Sequence, residues 1–512
     1  MRKEGIPSMN TEEKESKTQQ RKMVRTYLDD LPLGDEALIQ ADAQKSRKER
    51  KLLPDGCSSG TLYRDIMRIA WPSLVELFLA SLASMVDMIM VGNINEEFFH
   101  VVSDHAIGAV NLAAQPKFIF VSLIIALNTG ITAAVARARG AGDHEKANDT
   151  LRQGLVFSFL VCIFGSVMGF VFARPLVSFM ANGGLSQATM DMGVTYLQIQ
   201  MAGFLTMGIS STFTAALRGT GNSRLPMIYN IGANLFNVIG NYLLINGHFG
   251  FPPCGVAGAS LATVLGQGIA TVWAIMACRT GKYYFTIHPS DFFKGFKLDM
   301  EIIRRIIKVG TPALGEQLIM RVGIILFTRQ VTSLGDIPYT THQICMNIQS
   351  MTFMMGQALA VSSTTLVGQS LGKRRPDMAE HYSRRCSNLG VVIGVIMGLF
   401  FAFFGKYVVA LYSSTPDVIA ASIPIMIILG INQPIQTPQF VLSGSLRGAG
   451  DTRSTAIITF IGVLMLRPIV AKFTIAAYGV IGAWLAISAD QIGRTIVVRY
   501  IYGRGKWKKI AL

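Results

Sequence analysis

Apolar stretches of about 20 residues, the length a helix needs to cross a bilayer, recur from about residue 65 to the C-terminus. Nothing constrains this chain more. In hydrocarbon every backbone polar group must be satisfied internally, so such runs fold as helices that pack side by side. Half of the 512 residues are hydrophobic and 15% are charged, less charge than soluble chains of this length carry. The expected fold class is an all-α polytopic membrane protein.

Twelve spans can be read, near 66–92, 106–136, 151–173, 189–216, 226–246, 256–278, 303–331, 341–371, 386–411, 418–443, 454–475 and 479–501. Lys and Arg test the orientation, because cytoplasmic loops carry the excess. Arg137, Arg139, Lys146 and Arg152 follow span 2, and Arg218 and Arg224 follow span 4. The connection after span 6 holds Arg279, Lys282, Lys294, Lys297, Arg304, Arg305 and Lys308. Lys373, Arg374, Arg375, Arg384 and Arg385 follow span 8, and Arg447 and Arg453 follow span 10. Arg494, Arg499, Arg504, Lys506, Lys508 and Lys509 crowd the C-terminal end. The opposite loops hold Arg174, Arg329, Lys406, Arg467 and Lys472. Both termini are therefore expected in the cytoplasm. This clustering, rather than nucleic-acid binding, accounts for the net charge of +16, because no basic patch interleaved with aromatics is present.

Residues 1–62 are polar, without an apolar core, and read as a disordered or partly helical cytoplasmic tail. The six cysteines are scattered without metal-ligand spacing and are expected to be free thiols.

The chain repeats itself. PSLVE (72–76) matches PALGE (312–316), and VARARG (135–140) aligns with VGQSLG (367–372). LRGTGNSR (217–224) matches LRGAGDTR (446–453), and GVAGASLA (255–262) matches GVIGAWLA (479–486). The matches keep their order, each at the equivalent point of a six-helix unit. An even number of spans per unit makes this a parallel repeat, suited to alternating access. The predicted parts are the tail (1–62), an N-terminal six-helix bundle (63–279), a cytoplasmic linker (280–302), a pseudo-symmetric C-terminal six-helix bundle (303–503) and a basic terminus (504–512). The arginines of LRGxGxxR are expected to pin their loops at the level of the lipid phosphates.

The first span carries its own chemistry. Glu76, Ala80, Ala83, Ser84 and Asp87 share one face of a 3.6-residue helix. A carboxylate at a helix centre in hydrocarbon costs roughly 2.5–3.5 kcal/mol on insertion scales, so Asp87 is a candidate ion-coupling residue, with Glu76 at the other end of the stripe. In span 5, Asn230, Asn234, Asn237 and Asn241 form a continuous amide stripe. Amides bridge helices by hydrogen bonds and also offer neutral oxygens to a cation.

Twelve spans in two halves, PxxxE heading each half, VDMIMVG ending span 1, LRGxGxxR after spans 4 and 10, and the asparagine-rich span ending GNYLLI together resemble the multidrug and toxic compound extrusion (MATE) transporters, nearer the DinF-like branch. The resemblance covers about residues 63–503. It implies a secondary antiporter in the plasma or inner membrane. Such a protein exports organic, often cationic or amphipathic, compounds in exchange for H⁺ or Na⁺. It implies no enzymatic activity, no cofactor beyond the ion gradient and no bound metal other than Na⁺ at Asp87, Asn237 and Asn241. The expected partners are a small-molecule substrate and membrane lipid, and the expected state is a monomer. An aspartate of the family is replaced here by Asn241, which removes one anionic ligand and favours H⁺, for which one carboxylate suffices.

The cavity residues are read more loosely. Glu316 is the repeat partner of Glu76. Gln317, Arg321 and Thr328 form a polar stripe in span 7, and Lys117 follows Pro116 in span 2. Lys117 and Arg321 either pair with Glu76, Asp87 or Glu316, or favour a substrate with an anionic group. Span 8 offers Gln343, Asn347, Gln349, Ser350, Met354 and Gln357. Span 10 offers Gln433, Gln436 and Gln439 beside Pro434 and Pro438, which are expected to interrupt the helix next to a cavity. The repeat partner of Asp87, counted from the paired prolines, is Phe327, so a coupling site is expected in the N-terminal half alone. A lipid-linked saccharide flippase of the same architecture is the rival reading, and its cavity would be large and basic. GQSLGKRR (368–375) has the wrong glycine spacing and no final Ser/Thr for a P-loop, which excludes an ATP-driven pump.

Overall fold

The computed structural model describes residues 58–94, 103–181, 186–288, 291, 298–412 and 415–510. The predicted tail lies outside these residues apart from its last few positions. The N-terminal half consists of α1 (Ser59–Gly92), α2 (Ser103–Ala141), α3 (His144–Val171), α4 (Ala173–Ala181), α5 (Gln187–Ala202), α6 (Phe204–Gly219), α7 (Arg224–Leu244) and α8 (Gly255–Arg279). The C-terminal half consists of α9 (Met300–Thr332), α10 (Asp336–Gly372), α11 (Pro376–Ala410), α12 (Pro416–Gly448), α13 (Thr452–Thr459) and α14 (Arg467–Gly503), with a π-helical stretch, Phe460–Leu466, joining the last two.

Helix starts are set by side-chain caps. Ser58, Asp143, Ser186, Asp299 and Asp451 each accept a backbone N–H from the first turn of the helix they precede. Eight helical stretches among the described residues are long and apolar enough to cross a membrane. The last of them, Thr452–Gly503, contains Gly479 at φ 57, ψ −132, a left-handed corner that turns the chain back. It therefore supplies two crossings. The continuous α5–α6 pair, stepped at Gly203, supplies another, and the polar-striped α7 and α10 complete twelve transmembrane helices in two pseudo-symmetric six-helix bundles. Pro434 and Pro438 do not interrupt α12, which runs unbroken through both.

The interior is built for a membrane protein. Glycines sit where helices touch: a Cβ at Gly394 would lie 2.6 Å from the Gln433 carbonyl oxygen, and one at Gly266 2.7 Å from that of Ala233. Such small-residue contacts are how helices pack without a hydrophobic drive between them. Large apolar side chains point outward instead, among them Phe164, Val167, Ile396 and Phe403.

The repeat is geometric as well as sequential. Gly221 and Gly450, in the two LRGxG segments, have φ of 88° and 87°, and Gly255 and Gly479, which open the last helix of each half, have φ of 56° and 57°. All four positions need the left-handed backbone that glycine supplies without strain.

The two halves are joined at the face that carries the basic loops. Ser362 Oγ donates to the Ile66 carbonyl (3.3 Å), Thr365 Oγ1 to that of Arg218 (2.9 Å), Gln369 Nε2 to that of Gly219 (2.9 Å), and Tyr382 OH to Asp65 Oδ2 (2.8 Å). Gly130 on α2 packs against the Ile306 carbonyl of α9 at the same level. The linker docks on the N-terminal half: Phe285 and Ile287 are buried in its core, and Asp291 pairs with Arg152 at 2.9 Å. A backbone hydrogen bond from His288, with the Arg152 charge beside it, holds the Asp291 carboxyl below the usual range. The basic terminus folds back. Trp507, 1% exposed, stacks on Tyr502, Lys508 pairs with Glu380 at 2.9 Å, and Arg137 Nη1 donates to the Ile510 carbonyl of the other half at 2.7 Å. Cys162, Cys254, Cys278, Cys345 and Cys386 are free thiols, and Cys57 lies outside the described residues.

Candidate functional site

A polar pocket lies inside the N-terminal half. α1 presents Asp87 to α7, whose 21 residues place Asn237 and Asn241 one turn apart on the facing side. Asn241 Nδ2 donates to Asp87 Oδ1 at 2.5 Å. With its amide oriented so that both ends are satisfied, Asn237 donates to both Asp87 oxygens (2.8 and 3.0 Å), while its own oxygen accepts from Thr263 on α8. Both asparagines are buried, at 5% and 0% exposure, and Asn241 Oδ1 is left without a partner. The predicted meeting of the α1 carboxylate with the asparagine stripe is thus present, and Asn234, half-buried, lies on α7 between Asn230 and Asn237.

The stripe divides its attention. Asn230 donates not to Asp87 but to Glu76 Oε1, at 2.6 Å. Glu76 is also bridged by Arg218 at 2.8 Å, with the two side chains 9% and 20% exposed. The C-terminal half repeats this clamp: Glu316 is paired with Arg447, and Thr455 Oγ1 donates to it at 2.8 Å. Thr459, the repeat counterpart of Asn230 counted from Arg224 and Arg453, donates to the same carboxylate. The first arginine of each LRGxGxxR, Arg218 and Arg447, therefore turns inward to the PxxxE glutamate rather than outward to lipid phosphate, while Arg224 and Arg453 stay exposed. Each clamp ties the first helix of a half to the end of its fourth span. Spacing alone did not reveal this, but the shared order of PxxxE and LRGxGxxR in both halves was the available signal.

Lys117 and Arg321 pair with neither glutamate. Lys117 Nζ donates to Gln200 Oε1 at 2.7 Å, and Gln200 in turn donates to the Ser260 carbonyl at 3.3 Å. The ammonium stands within electrostatic reach of Asp87. Arg321 stacks its guanidinium over the Phe118 ring at 4.0 Å, a cation–π contact between the halves. Gln317 is half-buried on the same helix. Of the remaining cavity candidates, Gln349, Gln433 and Gln436 are at most 7% exposed. Gln357 is half-buried. Buried polar atoms of Gln433, Gln436 and Gln439 have no protein partner, so the interior around α12 is polar rather than sealed by apolar packing.

The C-terminal half buries charge as well, beyond the Glu316 clamp. Arg467 was counted with the loops, and so was Arg494. Both lie inside the bundle and both bind Asp490 on α14, which is 0% exposed. Arg494 Nε donates to Asp490 Oδ1 at 2.8 Å and its Nη2 to Oδ2 at 2.9 Å, while Arg467 holds Oδ2 through Nε at 3.1 Å and through Nη2. The i,i+4 spacing of Asp490 and Arg494 within one span was the signal in the sequence. Among the described residues no group of three or more His, Cys, Asp or Glu side chains is arranged to hold a metal ion.

The family model described as MatE matches residues 72–243 and 312–472, one segment in each half. The chain is 30% identical over 459 residues to a "Probable multidrug resistance protein NorM" from Thermotoga maritima, covering 88% of this chain and 94% of that protein. It is 25% identical over 437 residues to "Uncharacterized transporter YisQ" from Bacillus subtilis, covering 85% and 92%. A solved structure described as the outward-facing conformation of a multidrug resistance MATE family transporter of the MOP superfamily superposes with a TM-score of 0.78 at 20% identity, covering 89% of this chain and 99% of that one.

Proposed function

The chain belongs to the MatE family of multidrug efflux transporters, and from that premise we propose that it is a secondary antiporter that exports organic cations or amphipathic compounds in exchange for protons. One observation carries the reading: the Asp87 carboxylate, set between amide donors inside a membrane-spanning bundle, is a group that can change charge in step with a change of access. In the ionised state Asp87 accepts from Asn237 and Asn241. On protonation it loses its charge and these hydrogen bonds weaken, so α1 loses this hold on α7, with the Asn230–Glu76 bond left as their remaining polar tie, and the half can repack. A ligand that binds one arrangement better than the other is what makes exchange obligatory.

Protons rather than Na⁺ are favoured by Lys117. Its ammonium stands within electrostatic reach of Asp87 and adds positive charge that opposes a second cation there. A proton needs only the carboxylate.

The basic face is assigned to the cytoplasm of the plasma or inner membrane by its Lys and Arg content. Because the hydrogen bonds between halves gather at that face, we read the state described as closed to the cytoplasm. The saccharide flippase is the weaker reading, because Arg321 is spent on Phe118 and Lys117 on Gln200. Efflux of a cationic dye from proteoliposomes under ΔpH or ΔNa⁺ tests the proposal. Efflux under ΔpH supports it, and efflux under ΔNa⁺ alone rejects the proton assignment.

A further inference from the structure

We propose that the C-terminal half holds a small monovalent anion, a halide or a carboxylate, between Arg467, Arg494, His342 and Trp484. The argument starts from charge. Two guanidinium groups share one carboxylate, and the three residues Arg467, Asp490 and Arg494 are 8%, 0% and 4% exposed. One unit of positive charge is therefore left without a counter-ion in a dehydrated interior, where ionised groups are found paired. Each arginine uses Nε and Nη2 on Asp490, which leaves Nη1 of both free to donate elsewhere.

Unpartnered polar atoms lie in the same region. Trp484 Nε1, a donor only, belongs to a fully buried side chain and has no partner, and His342, 3% exposed, has an unpartnered Nδ1. Phe327 ties the cluster together: its ring centroid is 5.7 Å from that of His342 and 5.6 Å from the Arg467 guanidinium carbon, and the His342 and Trp484 rings are 5.8 Å apart. A net positive charge beside a buried, unpartnered indole N–H fits an anion and repels a metal ion.

The repeat gives the same answer independently. Phe327 stands where the N-terminal half has Asp87. Counted from Arg224 and Arg453, Arg467 falls one residue beyond the counterpart of Asn237, and the π-helical stretch Phe460–Leu466 absorbs a residue of that kind. The two halves thus present related positions of opposite polarity, an acid with amide donors in one and a guanidinium on an aromatic ring in the other.

The test uses the purified full-length protein, melted at constant ionic strength in sodium chloride, bromide, acetate or gluconate, with gluconate as the anion too large to enter. The proposal expects a saturable rise in Tm of several degrees over gluconate. Arg494→Gln, which leaves a neutral Arg467–Asp490 pair, should lose that rise. Trp484→Phe, which keeps the ring packing and removes the donor, should require at least tenfold more anion for half of it, and it serves alone if Arg494→Gln does not fold. A rise with halides assigns the site to a free anion, and a rise with acetate alone assigns it to the carboxylate of an organic substrate. Identical melting of the unaltered protein in all four salts overturns the proposal, as does an undiminished halide response in Trp484→Phe.

Discussion

The paired Glu–Arg clamps give the sharpest energetic prediction. Arg218→Met leaves Glu76 as a buried carboxylate with Asn230 as its remaining donor. Breaking a buried pair by removing one partner costs about 3–5 kcal/mol. The side chains are 9% and 20% exposed, so the discount for surface pairs does not apply, and the Asn230 hydrogen bond places the cost near the lower end, about 3 kcal/mol. Glu76→Gln should cost a similar amount by stranding the Arg218 guanidinium. Removing both charges together is different, because neither group is then left uncompensated. The double variant should lie within about 1.5 kcal/mol of the unaltered protein, which makes the coupling about 4.5 kcal/mol, the two single losses less the double. The same cycle at Glu316 and Arg447 should give the same pattern, since their exposures are 8% and 21% and Thr455 replaces Asn230 as the extra donor. Denaturant or thermal unfolding of purified protein, followed by tryptophan fluorescence, measures all four corners of each cycle. Additive single-variant losses would refute the reasoning, because they would mean the charges do not depend on one another.

Further outcomes follow from other contacts. Gly221→Ala and Gly450→Ala place an L side chain at φ 88° and 87° and should each cost about 1–3 kcal/mol, read from the same melts. Trp507→Ala empties a buried socket and should cost about 3–5 kcal/mol; a loss under 1 kcal/mol would show that the terminal segment is not docked. Lys117→Met frees the Gln200 oxygen and removes the resident ammonium, so Na⁺ binding, measured with radioactive sodium, should appear in this variant and vanish again in Lys117→Met/Asp87→Asn.

Much of this was legible in the sequence. The spans follow from apolar runs, and the pairing of Asp87 with Asn241 follows from helical spacing plus the cost of an isolated carboxylate in hydrocarbon. The repeat was visible as matched strings, and its glycines proved to mark matched left-handed corners. What escaped was pairing between distant helices. Glu76 and Glu316 could be identified as intramembrane acids, but nothing local says that Arg218 and Arg447 reach them. Arg467 and Arg494 fall inside spans 11 and 12, yet as arginines they count with the loops, because arginine in such a chain is usually a topology signal. Their burial depends on Asp490, and the pull of one buried carboxylate is a tertiary effect. The prolines of α12 misled for a related reason: packing against the glycine face of α11 holds the helix continuous.

The central claim is that Asp87 couples transport to a proton gradient, and the most direct measurement is ΔpH-driven efflux of a cationic dye from proteoliposomes by the Asp87→Asn variant. The account predicts that this variant remains folded, because asparagine is nearly isosteric and can still meet Asn237 and Asn241, and that gradient-driven efflux is lost. Efflux by Asp87→Asn equal to that of the unaltered protein would contradict it.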